Sequence, residues 1–398
     1  MDTITHGIAG ALIGKALFRG DDLFTKRQVS RERVLTWAAM LGAIFPDSDI
    51  IRDVLSRDPL LIITWHRSIT HSLLCLPAFA LGLAALTRWF VRRRRWECPS
   101  FALLALVYAA GILSHILLDL LNNFGTMIWA PFSWARPAWD LIFIIDLTVS
   151  GIVLLPQVLA GLYETRENFL LRSFRPWGVC VLAALLIAAL SHWRGVKIQS
   201  TTVPAVIALL VALFFGPRWR GWGFRVRRAA WCRAGLTVLL VYIGLTFAAH
   251  HAALNHVRKF AADEQLEVVA LGALPLPPSV WQWDGLVRTP HGVYELPIDL
   301  TERDSASSGR ERVLEYRLFP EAPVNLEILE ARNLPSVQKV LGFARFPVTR
   351  FHKEGDVSVV EIVDLRFHSM VPGRPWPFTY RVRIDAAGHV LNEGWVRR

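Results

Sequence analysis

The chain has 398 residues, of which 53% are apolar and only 19% charged, and its mean hydropathy is +0.35. Globular proteins average about a quarter charged residues, and disordered chains are poor in the Leu, Val and Phe that abound here, so disorder, a collagen-like repeat and a disulfide scaffold are excluded. The net charge of +11 suits a nucleic acid or an anionic membrane surface, and the placement of the arginines decides between them.

In chain order, Met1-Asp2-Thr3 lacks the basic segment of a cleavable signal peptide, so His6 is expected to stay in the mature protein. Apolar runs follow that approach the roughly 20 residues needed to cross a bilayer core. They are Thr5–Phe18 and Val34–Ile51, then His71–Val91, Phe101–Leu121, Trp139–Leu162, Trp177–His192, Val203–Phe215 and Ala234–Ala253. The runs at 5–18 and 203–215 are short for a full span. A single such run is as well explained by a buried soluble helix, but this many predict a mainly α, polytopic membrane domain of about seven to eight helices.

The arginines then orient it. Arg19–Arg33, Arg92–Arg95, Thr165–Arg175 and Pro217–Arg233 would share one side, the last holding Arg218, Arg220, Arg225, Arg227, Arg228 and Arg233. The alternate loops hold few basic residues: Arg52, Arg57 and Arg67, then Arg136, then Arg194 and Lys197. The Arg-rich side is therefore expected to be cytoplasmic, with both termini outside an inner (cytoplasmic) membrane. The basic charge reads as a topology signal, the partner is the lipid bilayer, and no nucleic acid is expected. Cys75, Cys98, Cys180 and Cys232 show neither metal-like nor disulfide-framework spacing.

Near residue 260 the long apolar runs stop. Phe378–Ile384 alternates apolar and polar residues, the 385–388 loop follows, and His389–Val396 is a returning partner; Asp356–Phe367 and Arg312–Phe319 are further strand candidates. Leu274–Pro278 is expected to be a stiff connector. The chain thus divides into a site-bearing helical membrane domain (1–160), additional transmembrane helices (161–260) and a small β-rich extracytoplasmic domain (261–398).

Within the first 150 residues, ionisable groups recur at helix ends: His6, Asp47 and Asp49, His66 with Arg67 and His71, His115 and Asp119 followed by Asn122, and Asp140 with Asp146. A charge inside a membrane segment costs roughly 2.5–3.5 kcal/mol at the helix centre, so such residues pair, bind an ion or line a pathway. In the eight-crossing arrangement all of them fall at the outer ends of their helices, on the face opposite the Arg-rich loops. His115 and Asp119 stand about 6 Å apart along one helix with an offset of about 40°, so both reach one point. Imidazole and carboxylate together suit zinc, with manganese or iron as alternatives. The expected metal ligands are His6, Asp47, Asp49, His66, His71, His115 and Asp119. Asp49 or Asp146 would serve as general base, and Arg67 either as a clamp for an anionic oxygen or as an ion-pair partner of Asp49 or Asp53. His192, His250, His251 and His256 are read as interfacial.

These motifs, in this order and spacing, resemble the YdjM-type family of inner-membrane proteins described as metal-dependent hydrolases. The resemblance rests on the Met1–His6 opening, Pro46-Asp47-x-Asp49, His66-Arg67-x-x-Thr70-His71-Ser72, and His115-x-x-x-Asp119 with Asn122 and Gly125. It covers about residues 1–160. A looser similarity to all-helical zinc phospholipase C and P1-nuclease type enzymes suggests a phosphoester or lipid-like substrate. The expected function is a membrane-bound metal-dependent hydrolase acting through metal-activated water at the outer face. A transporter or ion pathway, or a non-catalytic metal-stabilised scaffold, remains the alternative.

Overall fold

The computed structural model describes residues 1–18, 29–56, 58–193, 201–301, 315–367 and 376–396. The topology markers Arg19, Arg57, Arg194 and Lys197, and the first residues of the strand expected at Arg312–Phe319, lie outside the described residues.

The N-terminal part is helical: α1 (Thr3–Leu17), α2 (Arg31–Ile44), α3 (Ile50–Leu55), α4 (Leu61–Thr64), α5 (Leu76–Arg93), α6 (Phe101–Leu120), α7 (Leu147–Leu162), α8 (Phe169–Trp193), α9 (Thr202–Phe215) and α10 (Arg228–Asp263). Side-chain caps set several starts. Asp2 accepts from the Thr5 N–H, Ser30 from Arg33, Ser100 from Leu103 and Asp146 from Thr148, each satisfying one of the orphan amides of a first turn.

Among the described residues, five stretches are long and apolar enough to cross a membrane: Arg31–Leu55, Phe101–Leu120, Phe169–Leu190, Thr202–Gly221 and Arg228–Asp263. A sixth exists if Leu61–His71 and Leu76–Arg93, bent by 71°, form one broken span. The total of seven to eight expected from hydropathy requires adding α1 and α7, only 15 and 16 residues long. The run at Trp139–Leu162 becomes helical only at Leu147. Before it, residues 139–142 fold back on the end of α6, with the amides of Trp139, Leu141 and Ile142 donating to the carbonyls of Leu120 and Leu121.

Small residues let the site-bearing helices meet. A Cβ on Gly10 of α1 would stand 2.5 Å from the Ala39 carbonyl oxygen of α2, and a Cβ on Gly111 of α6 would stand 2.5 Å from the same oxygen. Helix α2 is thus gripped on two sides by glycines, the close approach that apolar side chains alone do not drive in lipid. On its other flank α1 shares a core with α7 and α10 through Leu12, Val149, Val153, Leu239 and Tyr242.

Helix α10 has 36 residues, about 54 Å, against a hydrocarbon core of about 30 Å. Its end projects as a stem, and Val257 and Phe260 pack with Trp283 and Leu296 of the β-rich domain. That domain holds two four-stranded antiparallel meanders. The first is β1 (Ala270–Leu276), β2 (Gln282–Thr289), β3 (Gly292–Asp299) and β4 (Arg317–Pro320); the second is β5 (Pro347–Glu354), β6 (Val357–Asp364), β7 (Thr379–Ile384) and β8 (Val390–Trp395). The hairpin expected at the C-terminus is β7–β8. The connector expected at Leu274–Pro278 is instead largely strand, with Leu274 paired to Asp284 and Leu276 to Gln282. Helices α11 (Leu326–Asn333) and α12 (Pro335–Phe343) join the sheets.

The two parts touch. Phe124, just after α6, shares a core with Leu60 and Ile63 and with Phe343, Val360 and Tyr380 of the β-rich domain. The C-terminal end of α6 and the β-rich domain therefore lie on the same side of the bundle.

Gly111→Val should cost about 1–3 kcal/mol through forced separation of α2 and α6. Gly82→Ala, where nothing lies within 4 Å, should leave stability unchanged or slightly raised. Thermal unfolding of the detergent-solubilised chain measures both.

Candidate metal centre

Four donors from three segments converge: Asp47, His71, His115 and Asp119 each offer one ligand atom, all within 4.8 Å of one another. Asp47 stands in the 3-10 turn that follows α2, His71 in the turn before α5, and His115 and Asp119 one helical turn apart on α6. His115 Nε2 lies 3.0 Å from His71 Nε2, 3.4 Å from Asp47 Oδ1 and 3.5 Å from Asp119 Oδ2. His71 Nε2 lies 3.5 Å from Asp119 Oδ2 and 3.8 Å from Asp47 Oδ1. Tetrahedral donors at zinc distances of about 2.0–2.1 Å stand about 3.3 Å from one another, so the observed edges bracket that figure.

The tautomers support the same reading. His115 Nδ1 is 2.7 Å from the Ala43 carbonyl oxygen, which can only accept, so Nδ1 carries the proton and the Nε2 lone pair points into the cluster. Two imidazole nitrogens 3.0 Å apart repel if both present lone pairs, unless a proton or a cation lies between them. Asp119 Oδ2 is buried with no aligned hydrogen-bond donor, although Arg67 Nε stands 2.9 Å away. The residues present fit a divalent cation.

Three further expected ligands surround this group without joining it. His6 stacks on His115 at 3.7 Å and its Nε2 is 3.2 Å from Asp119 Oδ1, which the backbone nitrogen of Met1 also contacts. Asp49 turns toward the 66–70 segment: His66 Nδ1 is 3.0 Å from Oδ1, while the Arg67 amide and the Thr70 hydroxyl donate to Oδ2 at 2.9 and 3.3 Å. His66 is thus held by Asp49. It is the more open of that pair, its side chain 15% exposed against 2% for Asp49.

Arg67, in the left-handed region at φ 62°, is buried; its Nη1 donates to Asn122 Oδ1 at 2.9 Å and its Nε faces Asp119. The anion clamp expected there is already engaged by a carboxylate and an amide. Asp146 also has a different job from the base expected of it. One oxygen caps α7, and the other accepts from the Tyr242 and Ser279 hydroxyls at 2.7 and 2.8 Å, tying α7, α10 and the β-rich domain together. Asp140 receives a two-pronged pair from Arg345 at 2.8 and 2.9 Å. Burial opposes the Arg345 charge, yet the Asp140 carboxylate holds its pKa above the ordinary guanidinium value.

Sequence reasoning missed the groups that brace the ligands. Thr3 Oγ1 donates to Asp47 Oδ2 at 2.5 Å, and Thr70 Oγ1 lies 3.1 Å from His71 Nδ1. Their positions inside the motifs were the available signal. Nothing in the sequence pointed to Arg366, whose Nη1 donates to the Asn123 carbonyl at 2.9 Å across 243 residues, while the Asn123 amide returns a bond to the Arg366 carbonyl.

Compared with known proteins, residues 1–201 match the family model of the YdjM inner membrane protein. The chain belongs to the YdjM family. The match takes in the segments that carry all four converging donors and ends before α9. No curated protein and no solved structure matches the chain. For this YdjM-family chain, His71→Ala and Asp47→Ala should each abolish stoichiometric metal in elemental analysis of the purified protein. Asp146→Asn should keep the metal and lower stability by about 1–3 kcal/mol.

Proposed function

We propose that this chain is a membrane-bound metal-dependent hydrolase whose site faces the extracytoplasmic side of the inner membrane. The observation that carries the reading is the meeting of two imidazoles and two carboxylates, drawn from three segments, at donor spacings that suit one cation. Asp47, His71, His115 and Asp119 would hold the ion, zinc first by donor type, with manganese or iron as alternatives. When bound, such an ion supplies water acidified from 15.7 to about pKa 7.

The chain's own residues would do the rest. Asp49 accepts the Nδ1 proton of His66, leaving His66 Nε2 to accept a proton from water and return it to a leaving group. The base role thereby passes from Asp49, which is more deeply buried, to the imidazole it orients. Arg67 would pair with Asp119 and hold it in place rather than meet substrate. A phosphoester or lipid-like substrate suits the setting. A shallow, open depression lies beside the Asp47–Asp49 turn, lined by Ser48, Ile51, Arg52, Leu55 and Ser56, and offers apolar surface with one cationic group.

One observation favours a second reading. Four protein donors by themselves close a tetrahedral shell, and structural zinc sites are closed in this way; the ion would then staple the helices without chemistry. Purified protein assayed against phosphate, acyl and peptide esters separates the two. The hydrolase reading expects bound metal and turnover that falls more than about a hundredfold in His115→Ala and Asp119→Ala. Stoichiometric metal with no turnover on any ester favours the staple.

Orientation is tested separately by single cysteines in a background lacking the four native ones. A cysteine replacing Phe132, which is 86% exposed, should react with an impermeant thiol reagent from outside, and one replacing Arg94 should not. The reverse pattern would invert the topology.

A further inference from the structure

Arg136 lies in the loop between α6 and α7. Its Nη2 donates to the carbonyls of Ile63 at 2.8 Å and His66 at 3.1 Å, which fixes its head beside the base proposed above. The guanidinium stands over the rings of Phe124 and Phe343 at 5.2 and 5.4 Å. Two other arginines share this aromatic cluster, Arg67 over Phe124 and Arg366 over Phe343. Each of those has its carboxylate: Asp119 for Arg67 and Asp364 for Arg366. Among the described residues Arg136 has none, and its Nη1 is buried without a hydrogen-bond partner.

Two hydroxyls nearby are in the same state. Ser68 and Thr126 are buried, and among the described residues neither Oγ has a hydrogen-bond partner. Neighbouring backbone brings their segments together with that of Arg136: the Met127 amide donates to the Arg67 carbonyl at 2.9 Å and the Thr126 amide to the Pro137 carbonyl at 3.0 Å. Gly125 permits this closeness, since a Cβ there would stand 2.7 Å from Arg136 Cγ. The segment therefore holds one uncompensated cation and two unused hydroxyls, and leaving such donors unsatisfied is costly. Burial, with the charges of Arg67 and Arg366, pushes Arg136 down to about 9, the response of a cation in a field already positive.

We propose that Arg136, with the Ser68 and Thr126 hydroxyls as further donors, forms an oxyanion subsite beside the metal centre that binds the phosphate of a phosphoester. Its use in hydrolysis rests on the function proposed above, but its binding does not. A phosphate group brings the negative charge and the several acceptor oxygens that this donor set lacks. It also assigns the clamp to Arg136 in place of Arg67.

The test uses the full-length protein in detergent after chelation, so that no metal contributes. Inorganic phosphate is titrated calorimetrically into the wild type, Arg136→Gln and Arg136→Lys. The wild type should bind, Arg136→Gln at least tenfold more weakly, and Arg136→Lys in between. Should Arg136→Gln fold poorly, Ser68→Ala and Thr126→Val replace it, each expected to weaken phosphate severalfold while the wild type gains thermal stability from phosphate. Equal affinity in wild type and Arg136→Gln, or in the hydroxyl variants that replace it, overturns the proposal, as does absence of binding to wild type. Glycerol 3-phosphate, and nanodiscs of phosphatidylglycerol against phosphatidylcholine, then distinguish a soluble ester from a lipid headgroup. Phosphate binding in a protein that takes up no metal would sink the hydrolase and leave the subsite standing.

Discussion

Ionisable groups crowded into the apolar end of a helical bundle need compensation, and this requirement organises the structure. His6, His71, His115 and Asp119 are fully buried, and Asp47 and Asp49 nearly so. One shared cation would compensate two imidazole nitrogens 3.0 Å apart and the two carboxylates that stand 3.4–3.8 Å from them. Their neighbours act accordingly. Thr3, Thr70, Ala43 and Asn122 supply bonds that hold the ligand rings and carboxylates still, the bracing that metal sites depend on.

The helices can satisfy that requirement because their interfaces carry glycine where backbones must nearly touch. Gly10 and Gly111 both face the Ala39 carbonyl, so α1 and α6 close on α2 from two sides and carry His6 and His115 to the end of α2, where Asp47 begins the next turn. Larger side chains at these positions would separate the donors without altering one of them. The site is thus set as much by what is missing from the helix faces as by the acids and imidazoles themselves.

The β-rich domain is part of this arrangement. Arg366 reaches the Asn123 carbonyl, Phe343 and Phe378 pack on Phe124, Arg345 pairs with Asp140 and Ser279 with Asp146. Every one of these contacts falls on the 122–146 stretch that follows the α6 ligands. The domain stands on the stem of α10 and clasps the loops around the end of the bundle that carries the His/Asp cluster, which gives it a mechanical connection to that cluster.

Hydropathy, the arginine distribution and motif spacing were enough, without coordinates, to indicate a membrane-embedded helical region, a β-rich C-terminal part and a His/Asp cluster, because each depends on local composition or on residues a helical turn apart. They could not separate the four converging donors from those that brace them. Asp47 and Asp49 differ by two residues and look alike in sequence, yet the 3-10 turn aims one at His115 and the other at His66. Likewise Asp146 has the look of an intramembrane acid and is consumed as a helix cap shared with Tyr242 and Ser279. Which arginine lacks a counter-ion, Arg67 or Arg136, depends on side chains up to hundreds of residues distant. Such pairings are three-dimensional facts, since a carboxylate's role is set by which donors reach it, and only the closed fold determines that.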